Sequence, residues 1–214
     1  MSVTNVDRLT SRLACYLVTD PAVESVERLV EIVGRAIEGG VTTVQLRSKG
    51  WLDRQALDAA RRLRIVCSEQ DVMFLVNDRI DIALASGADG VHLGVDDLPV
   101  EAARSILGPD AIIGYSPETE EDRERAVRDG ASYLGVGPVF GTTTKADAGP
   151  ALGLPAFRQV VRSVDIPVIG IGGIDRSNAR SVRAAGAVGV AVVSSVFFAD
   201  HPATAAREIV EAMR

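Results

Sequence analysis

The sequence contains few residues of several kinds. Its 214 residues include two cysteines, two histidines, one tryptophan and 4% aromatic residues in total. Cys15 and Cys67 have neither the number nor the spacing of a disulfide framework or a zinc site, so we expect buried thiols in a reducing compartment. With so few aromatics, the core must be built from Val, Ile, Leu and Ala, which favours stacked helices and parallel strands.

Basic charge and long apolar runs are also missing. The 23 basic and 29 acidic side chains give a net charge of −6, so we expect no nucleic-acid partner. No apolar run approaches the ~18 residues of a spanning helix, and the first twelve residues lack the apolar segment of an export signal. These absences predict no membrane association and a cytoplasmic location, and they leave the oligomeric state open, a homo-oligomer included.

Glycine is frequent, with 20 residues, and it marks a repeat. Four segments, which begin at Gly39, Gly87, Gly130 and Gly186, each place glycine before a short aliphatic run. A glycine that ends a helix before a buried strand accounts for this pattern. The segments are spaced at about twice the length of one strand and helix, and further apolar runs at 13–19, 72–76, 111–115 and 166–171 bring the predicted strands to eight.

Segments with helical periodicity separate these strands. Val26, Leu29 and Val33 share one helix face, residues 53–70 form a second long candidate, and the charge run 118–125 reads as a solvated helix face. Alternating units whose strands are apolar on both faces predict a single α/β domain over residues 1–214, closed into a (β/α)8 TIM barrel. A doubly wound open sheet is the alternative.

Polar residues collect directly after the predicted strands, where barrels of this type place their active sites. The residues at these positions are Gln45, Arg47, Lys49, Asn77, Asp78, Asp96, Asp97, Ser116, Thr142, Thr143, Thr144, Lys145, Gly172, Gly173, Ser194 and Ser195. Together they predict a site for two phosphorylated groups and a metal ion.

Asp78 and Asp97 follow neighbouring strands, so their carboxylates could converge on one Mg²⁺, which accepts one or two carboxylates plus substrate phosphate oxygens. Arg47 offers a planar fork that matches phosphate, and Lys49 offers a point charge. A diphosphate held by these groups becomes a good leaving group, because the charge that builds on it is already met. The alternative is that Asp78 only begins a helix.

A second phosphate site is indicated by the glycines at 170–173 and by Ser194, since loops after the seventh and eighth strands of such barrels often bind phosphate. The alternative is that the glycines only allow tight turns. The long polar loop 141–153 is typical of a lid that closes over bound phosphates, or else of a mobile surface loop. His92 reads as a core or supporting residue and His201 as an exposed helix start, so neither is assigned a proton-transfer role.

With these residues assembled, the chain resembles the thiamine phosphate synthase family from about residue 16 to residue 206. The shared motifs, in chain order, are Gln45-Leu46-Arg47-Ser48-Lys49, Val76-Asn77-Asp78, the segment Gly90 to Asp97, Gly137-Pro138-Val139-Phe140 with the threonines that follow, and Gly170 to Ile174. The resemblance implies a transferase that joins 4-amino-2-methyl-5-hydroxymethylpyrimidine diphosphate to 4-methyl-5-(2-hydroxyethyl)thiazole phosphate. The products are thiamine phosphate and diphosphate.

The resemblance also implies roles for single residues. The pyrimidine and its diphosphate would meet Gln45, Arg47, Lys49, Asn77, Ser116 and Lys145, of which Arg47, Lys49, Ser116 and Lys145 would be catalytic. Mg²⁺ would be bound by Asp78 and Asp97, and the thiazole phosphate by Thr142, Thr144, Gly173, Val193 and Ser194. In the family, diphosphate departs first and leaves a pyrimidine-methyl cation, which the thiazole nitrogen attacks.

The chain departs from the usual family pattern at three places. Val95 stands where many members carry Gln, Ser48 where an acid often occurs, and Pro117-Glu118 where a small residue and a His often follow the serine. A related thiazole tautomerase uses a His near that last position, and its absence here favours the synthase. A non-catalytic barrel that binds a phosphorylated heterocycle is the remaining alternative.

Overall fold

A computed structural model describes residues 3–142 and 149–214. The eight strands are β1 (Cys15–Val18), β2 (Thr43–Leu46), β3 (Met73–Asn77), β4 (Gly90–Leu93), β5 (Ile112–Tyr115), β6 (Tyr133–Val136), β7 (Val168–Ile171) and β8 (Gly189–Val192). The helices of the described ranges are α1 (Val3–Arg12), α2 (Val26–Glu38), α3 (Asp53–Glu69), α4 (Ile80–Ser86), α5 (Val100–Leu107), α6 (Glu120–Arg128), α7 (Gly153–Arg162), α8 (Ala179–Ala184), α9 (Ser194–Phe197) and α10 (Pro202–Ala212).

The strands form one closed barrel in which every neighbouring pair is parallel and the spatial order follows the chain. The barrel closes where β1 pairs with β8, with Tyr16 opposite Ala191. The prediction of a (β/α)8 barrel is confirmed, and the open-sheet alternative is wrong. All carboxyl ends of the strands therefore meet at one mouth of the barrel.

Two separate clusters of buried side chains form the core. The outer cluster lies between the strands and the surrounding helices and consists mostly of Val, Leu, Ile and Ala, as the low aromatic content predicts. The inner cluster fills the barrel and includes Leu9, Tyr16, Leu75, Tyr133 and Ile169. Most strand residues are buried because each strand faces one cluster on either side.

Helix α1 was not predicted, and it contributes to the inner cluster. Leu9 in α1 and Leu13 just after it are both buried there. Leu13 also passes close to β8, because a Cβ added at Gly189 would overlap the Leu13 carbonyl. Since α1 leads into the first residue of β1, it lies at the amino ends of the strands and closes the floor of the barrel.

The other predicted local features agree with the structure. Helix α6 begins within the charge run and carries a capping box between Thr119 and Asp122. Cys15 and Cys67 are unpaired and buried, and burial raises the pKa of each thiol to about 12. Within the described ranges, no helix combines the length and apolarity needed to cross a membrane.

Candidate active site

The described members of the predicted site lie at the carboxyl ends of the strands. Gln45 lies within β2 and Asn77 ends β3, while the others follow β2 to β8 in the loops that form the mouth. These others are Arg47, Lys49, Asp78, Asp97, Ser116, Thr142, Gly173, Val193 and Ser194. Thr143, Thr144 and Lys145 lie outside the described residues, as does the rest of segment 143–148 of the predicted lid.

Asp78 and Asp97 meet at this mouth. Their carboxyl groups come close enough to share a hydrogen bond, and Asp97 Oδ2 also accepts the Gly94 N–H at 2.7 Å. Burial, followed by the proximity of Asp97, raises the pKa of Asp78 to about 6. Lys49 Nζ lies 3.6 Å from Asp78 Oδ2 and lowers the pKa of Asp78. The Lys49 side chain is half exposed, so solvent weakens this effect. The acid pair is therefore only partly compensated within the protein.

The backbone at Asp78 turns the chain out of β3. Asp78 has φ of 62°, a left-handed conformation that aspartate and asparagine adopt more readily than most residues. Its N–H donates to the His92 carbonyl of β4 at 2.9 Å, which fixes the turn to the neighbouring strand. Helix α4 begins two residues later at Ile80, so Asp78 precedes the helix and does not cap it.

The paired acids fit a divalent cation. Two carboxyl groups that repel each other when both are ionised can exchange a shared proton for Mg²⁺, which prefers oxygen ligands. In the described part of the chain, no group of three or more His, Cys, Asp or Glu side chains lies together as a metal site. An ion at Asp78 and Asp97 would thus need further ligands from water or from substrate phosphate.

Two cations stand on the loop between β2 and α3. The Arg47 N–H donates to the buried Thr19 hydroxyl at 3.0 Å, which ties the start of this loop to the end of β1. Trp51 closes the loop through its indole N–H, which donates to the Pro21 carbonyl at 2.9 Å. Across residues 3–142 and 149–214, no ion pair engages the Arg47 guanidinium. Arg47 is thus available to an anionic ligand.

A buried chain of hydrogen bonds crosses the barrel below the mouth. Gln45 Nε2 donates to the Tyr16 hydroxyl at 2.6 Å, and the hydroxyls of Tyr16 and Tyr133 are 2.8 Å apart. His92 Nδ1 lies 2.9 Å from the Tyr133 hydroxyl, and His92 Nε2 lies 2.8 Å from Ser116 Oγ. Burial lowers the pKa of His92 to about 4, so the imidazole is neutral at neutral pH.

Two glycines make room for this chain. A Cβ at Gly114 would overlap the Tyr133 phenol and lie 2.5 Å from His92 Nδ1. A Cβ at Gly135 would lie 3.0 Å from His92 Cε1 and 3.3 Å from Ser116 Oγ. Both glycines are interior strand positions, so their lack of a side chain serves the packing of His92 and Tyr133.

The predicted second phosphate region lies on the loops after β6, β7 and β8. Gly172 and Gly173 have φ of 93° and 64°. A Cβ at Gly172 would lie 2.6 Å from Pro138, and one at Gly173 would overlap the Gly141 carbonyl. Positive φ and close approach both require glycine here, so these glycines form tight turns, and such turns are compatible with phosphate binding.

Val193 and Ser194 lie where β8 passes into the short helix α9. Ser195 Oγ donates to the Ile174 carbonyl at 3.0 Å, which joins this turn to the loop after β7. At the neighbouring loop, Leu152 N–H donates to the Pro138 carbonyl at 2.8 Å, so the two ends of the long loop 141–153 are held together. These contacts bring the three loops to one side of the mouth.

Tyr16, Tyr133 and Thr19 were not predicted to support the site, and His92 was predicted only as a core or supporting residue. His92 does support the site, through Ser116. The available signal was weak: the chain has three tyrosines, and Tyr16 and Tyr133 occur inside apolar strand segments where a phenol needs a polar partner.

Comparisons with known proteins show the family of the chain. The family model described as "Thiamine monophosphate synthase" matches residues 15–196. A thiamine-phosphate synthase from Haloarcula marismortui is 49% identical over 197 residues, which cover 91% of this chain and 93% of that protein. One from Roseiflexus castenholzii is 45% identical over 194 residues, with 91% and 85% covered.

A solved structure gives the same result. The thiamine phosphate pyrophosphorylase from Pyrococcus furiosus superposes with a TM-score of 0.88 at 40% identity, over 96% of this chain and 97% of that one. A 3-hexulose-6-phosphate synthase superposes with a TM-score of 0.68 at 20% identity, which shows a shared fold. From the matched family model and these relatives, the chain belongs to the thiamine monophosphate synthase family.

Proposed function

We propose that the protein condenses 4-amino-2-methyl-5-hydroxymethylpyrimidine diphosphate with 4-methyl-5-(2-hydroxyethyl)thiazole phosphate, giving thiamine phosphate and diphosphate. Family membership supports this transferase activity. The structural observation that carries it is the acid pair Asp78 and Asp97 beside Lys49 at the mouth of the barrel. Barrel enzymes perform their chemistry at this mouth.

The diphosphate of the pyrimidine substrate binds at this acid pair. Arg47 and Lys49 bind its oxygens directly, and the resemblance adds Lys145. Asp78 and Asp97 would hold Mg²⁺, which would supply positive charge to offset the charge of the diphosphate. The Arg47 guanidinium offers two parallel donors, so it orients the diphosphate as well as attracting it.

The pyrimidine ring binds deeper in the barrel than its diphosphate. Gln45 is 4% exposed and lies on β2 two residues before Arg47, so it faces the interior beneath the diphosphate. Asn77 at the end of β3 and Ser116 after β5 complete the pyrimidine site. These polar groups fix the ring orientation that presents its methylene carbon to the second substrate.

The thiazole phosphate binds on the opposite part of the rim. The residues assigned to it are Thr142, Thr144, Gly173, Val193 and Ser194. Gly173 allows the backbone to approach a phosphate without an intervening Cβ. Because the loops after β6, β7 and β8 are linked to one another, this site holds the thiazole at a fixed distance from the pyrimidine.

The reaction begins with departure of diphosphate, which leaves a pyrimidine-methyl cation that the thiazole nitrogen attacks. Arg47 and Lys49 stabilise the charge on the leaving diphosphate. The phosphate site orients the thiazole nitrogen, and the loop 141–153 excludes water that would capture the cation. Diphosphate departure and nucleophile positioning are thus performed by different sides of the mouth.

The cellular setting is part of the same proposal. The unpaired, buried thiols of Cys15 and Cys67 support a cytoplasmic location. The net charge of −6 supports small anionic substrates gathered by local cations, without a nucleic-acid partner.

Diphosphate release in the presence of both substrates and Mg²⁺ tests the activity. Release that requires both substrates is the expected result. Binding of either heterocycle without release would favour the binding barrel, and isomerisation of the thiazole alone would favour the tautomerase.

Single substitutions test the assigned residues. Asp97→Ala should abolish Mg²⁺-dependent turnover with the fold intact, whereas Asp110→Ala, an exposed aspartate before β5, should retain wild-type turnover. Full activity in Asp97→Ala would remove Asp97 from the metal site. Ser194→Ala should raise KM for the thiazole phosphate, and a selective effect on the pyrimidine substrate would contradict its assignment.

A further inference from the structure

The hydrogen-bonded chain through the barrel links two side chains of the proposed pyrimidine site. It runs from Gln45 on β2 through Tyr16 on β1, Tyr133 on β6 and His92 on β4 to Ser116 after β5. Each donor–acceptor distance lies between 2.6 and 2.9 Å. In the described part of the chain, no buried side-chain nitrogen or oxygen lacks a partner.

The direction of every hydrogen bond in this chain follows from its first member. An amide nitrogen only donates, so the Tyr16 oxygen accepts from Gln45 and the Tyr16 proton goes to Tyr133. Tyr133 then donates to His92 Nδ1. A neutral imidazole that accepts at Nδ1 carries its proton on Nε2, which donates to Ser116 Oγ.

The two ends of the chain therefore present opposite groups. With its nitrogen engaged by Tyr16, Gln45 offers its carbonyl oxygen as an acceptor. Ser116 accepts from His92 and keeps its own hydroxyl proton to donate elsewhere. If the Gln45 amide were reversed, every hydrogen bond in the chain would reverse, because each link holds one proton. Ser116 would then donate to His92 and could only accept a hydrogen bond from a ligand.

We propose that His92 is a positioning residue that couples Gln45 to Ser116 and thereby selects the hydrogen-bonding pattern of the heterocycle. The coupled state accepts from an amino group and donates to a ring nitrogen, the pattern of a 4-aminopyrimidine. A 4-oxo pyrimidine has an acceptor and a ring N–H in these roles, so it would require both ends to reverse. This inference rests on the proposed function, since it places the pyrimidine between Gln45 and Ser116.

The composition of the barrel interior supports a functional role for the chain. Interior layers of (β/α)8 barrels are usually filled by branched aliphatic side chains. Buried polar groups cost free energy unless every hydrogen bond is made, and an apolar layer carries no such cost. Gly114 and Gly135 leave the space that His92 and Tyr133 occupy, so two strands are adapted to this polar layer.

The tautomer of His92 provides a direct test. The chain has two histidines, so ¹⁵N NMR of the imidazoles resolves His92 once His201→Gln, at an exposed helix start, assigns the other signal. We expect a proton on Nε2 in the wild type across neutral pH. A wild-type proton on Nδ1 would overturn the proposal.

A substitution at the far end of the chain should change this tautomer. In Gln45→Glu the ionised carboxylate accepts from Tyr16, so every link reverses and the His92 proton moves to Nδ1. The change should follow ionisation of the introduced carboxyl group as pH is raised, and it should be absent from the wild type. A His92 tautomer that stays on Nε2 with the carboxylate ionised would show that the ends are not coupled.

A kinetic cycle tests the coupling without the introduced charge. We expect the combined loss of kcat/KM for the pyrimidine diphosphate in Gln45→Met with Ser116→Ala to differ from the product of the single losses by at least about fivefold. In a Tyr133→Phe background the losses should multiply, and discrimination against the 4-oxo substrate should fall. KM for the thiazole phosphate should not change.

The outcomes separate this inference from the proposed function. The losses of kcat/KM in Gln45→Met and Ser116→Ala could deviate from simple multiplication equally with and without Tyr133→Phe. That result would overturn coupling through Tyr133 and leave the transferase activity in place. If Tyr133→Phe does not fold, Tyr16→Phe interrupts the same chain at the neighbouring link. A wild type that releases no diphosphate would contradict the proposed function, and the NMR measurement would still decide whether the chain is coupled.

Discussion

Asp78→Asn should stabilise the metal-free protein at pH 8 and abolish its response to Mg²⁺. The substitution removes one charge from the pair of Asp78 and Asp97 and retains the shape of the side chain. Asn also suits the left-handed backbone at this position, where φ is 62°. The expected gain thus comes from charge and not from backbone strain.

The size of the gain follows from the pKa of Asp78. Burial and Asp97 raise it to about 6, about two pH units above the usual value for aspartate, which corresponds to about 3 kcal/mol. Lys49 lowers this pKa, so its attraction for Asp78 is already contained in the value of about 6. We expect a gain of at most about 3 kcal/mol, or about 6–12 °C in Tm for a chain of this size.

The pH dependence has a definite sign. A carboxyl group whose pKa is raised on folding contributes stability that is fully present below its unfolded value, near 4, and is lost as pH rises through about 6. The wild type therefore bears the full cost of the paired charges at pH 8. At pH 5 the advantage of Asp78→Asn should fall to about half.

Urea unfolding at pH 5 and pH 8, with and without Mg²⁺, measures these differences. Asp71→Asn is a matched control, because Asp71 also has positive φ and lies just before β3, at the opposite end of the strand. It pairs with Arg12 and should show neither the gain at pH 8 nor a lost Mg²⁺ response. A destabilised Asp78→Asn at pH 8, or an equal gain at both pH values, would refute this reasoning.

Three further substitutions separate binding from packing. Arg47→Lys keeps the charge but loses the planar fork, so kcat/KM for the pyrimidine diphosphate should fall by about tenfold or more, with Tm unchanged; steady-state kinetics check this. Leu9→Ala should cost about 2–4 kcal/mol by urea unfolding, because Leu9 is buried in the barrel floor, whereas Leu84→Ala at an exposed position should cost little. Gly114→Ala should destabilise by at least about 1–3 kcal/mol through overlap with Tyr133, and a neutral effect would contradict the packing described.

Much of the fold could be predicted because parallel strands are buried on both faces. Such strands appear as short continuous apolar runs, and a glycine that ends the preceding helix marks where each begins. The carboxyl ends of neighbouring strands then place Asp78 beside Asp97 without any knowledge of side-chain packing. The number of units favoured a closed barrel over an open sheet, and the pairing of β1 with β8 shows the closure.

Helix α1 could not be predicted in the same way. The segment before Leu13 was read for an export signal, and its charged residues gave no reason to expect a buried face. Leu9 and Leu13 are four residues apart, which is compatible with one helix face but too short a pattern to decide. Their burial depends on the open lower end of a barrel, which exists only after all eight strands have closed.

The polar chain below the mouth was also beyond sequence reasoning. Tyr16 and Tyr133 are 117 residues apart, and their contact depends on how far the strands are staggered around the barrel. A strand residue faces either the interior or the helices, and an apolar run gives no alternation to decide which. His92 was read as a core or supporting residue, and its partners Tyr133 and Ser116 could be identified only from coordinates.

The closed floor made by Leu9 and Leu13 limits the routes by which small molecules enter and leave the barrel. A barrel with one open end admits substrates and releases products through the same mouth. Gln45 lies buried within the barrel, while Ser194 lies exposed at the rim. The pyrimidine therefore binds deeper in the site than the thiazole phosphate. We expect the pyrimidine substrate to enter first and the thiazole phosphate to follow it.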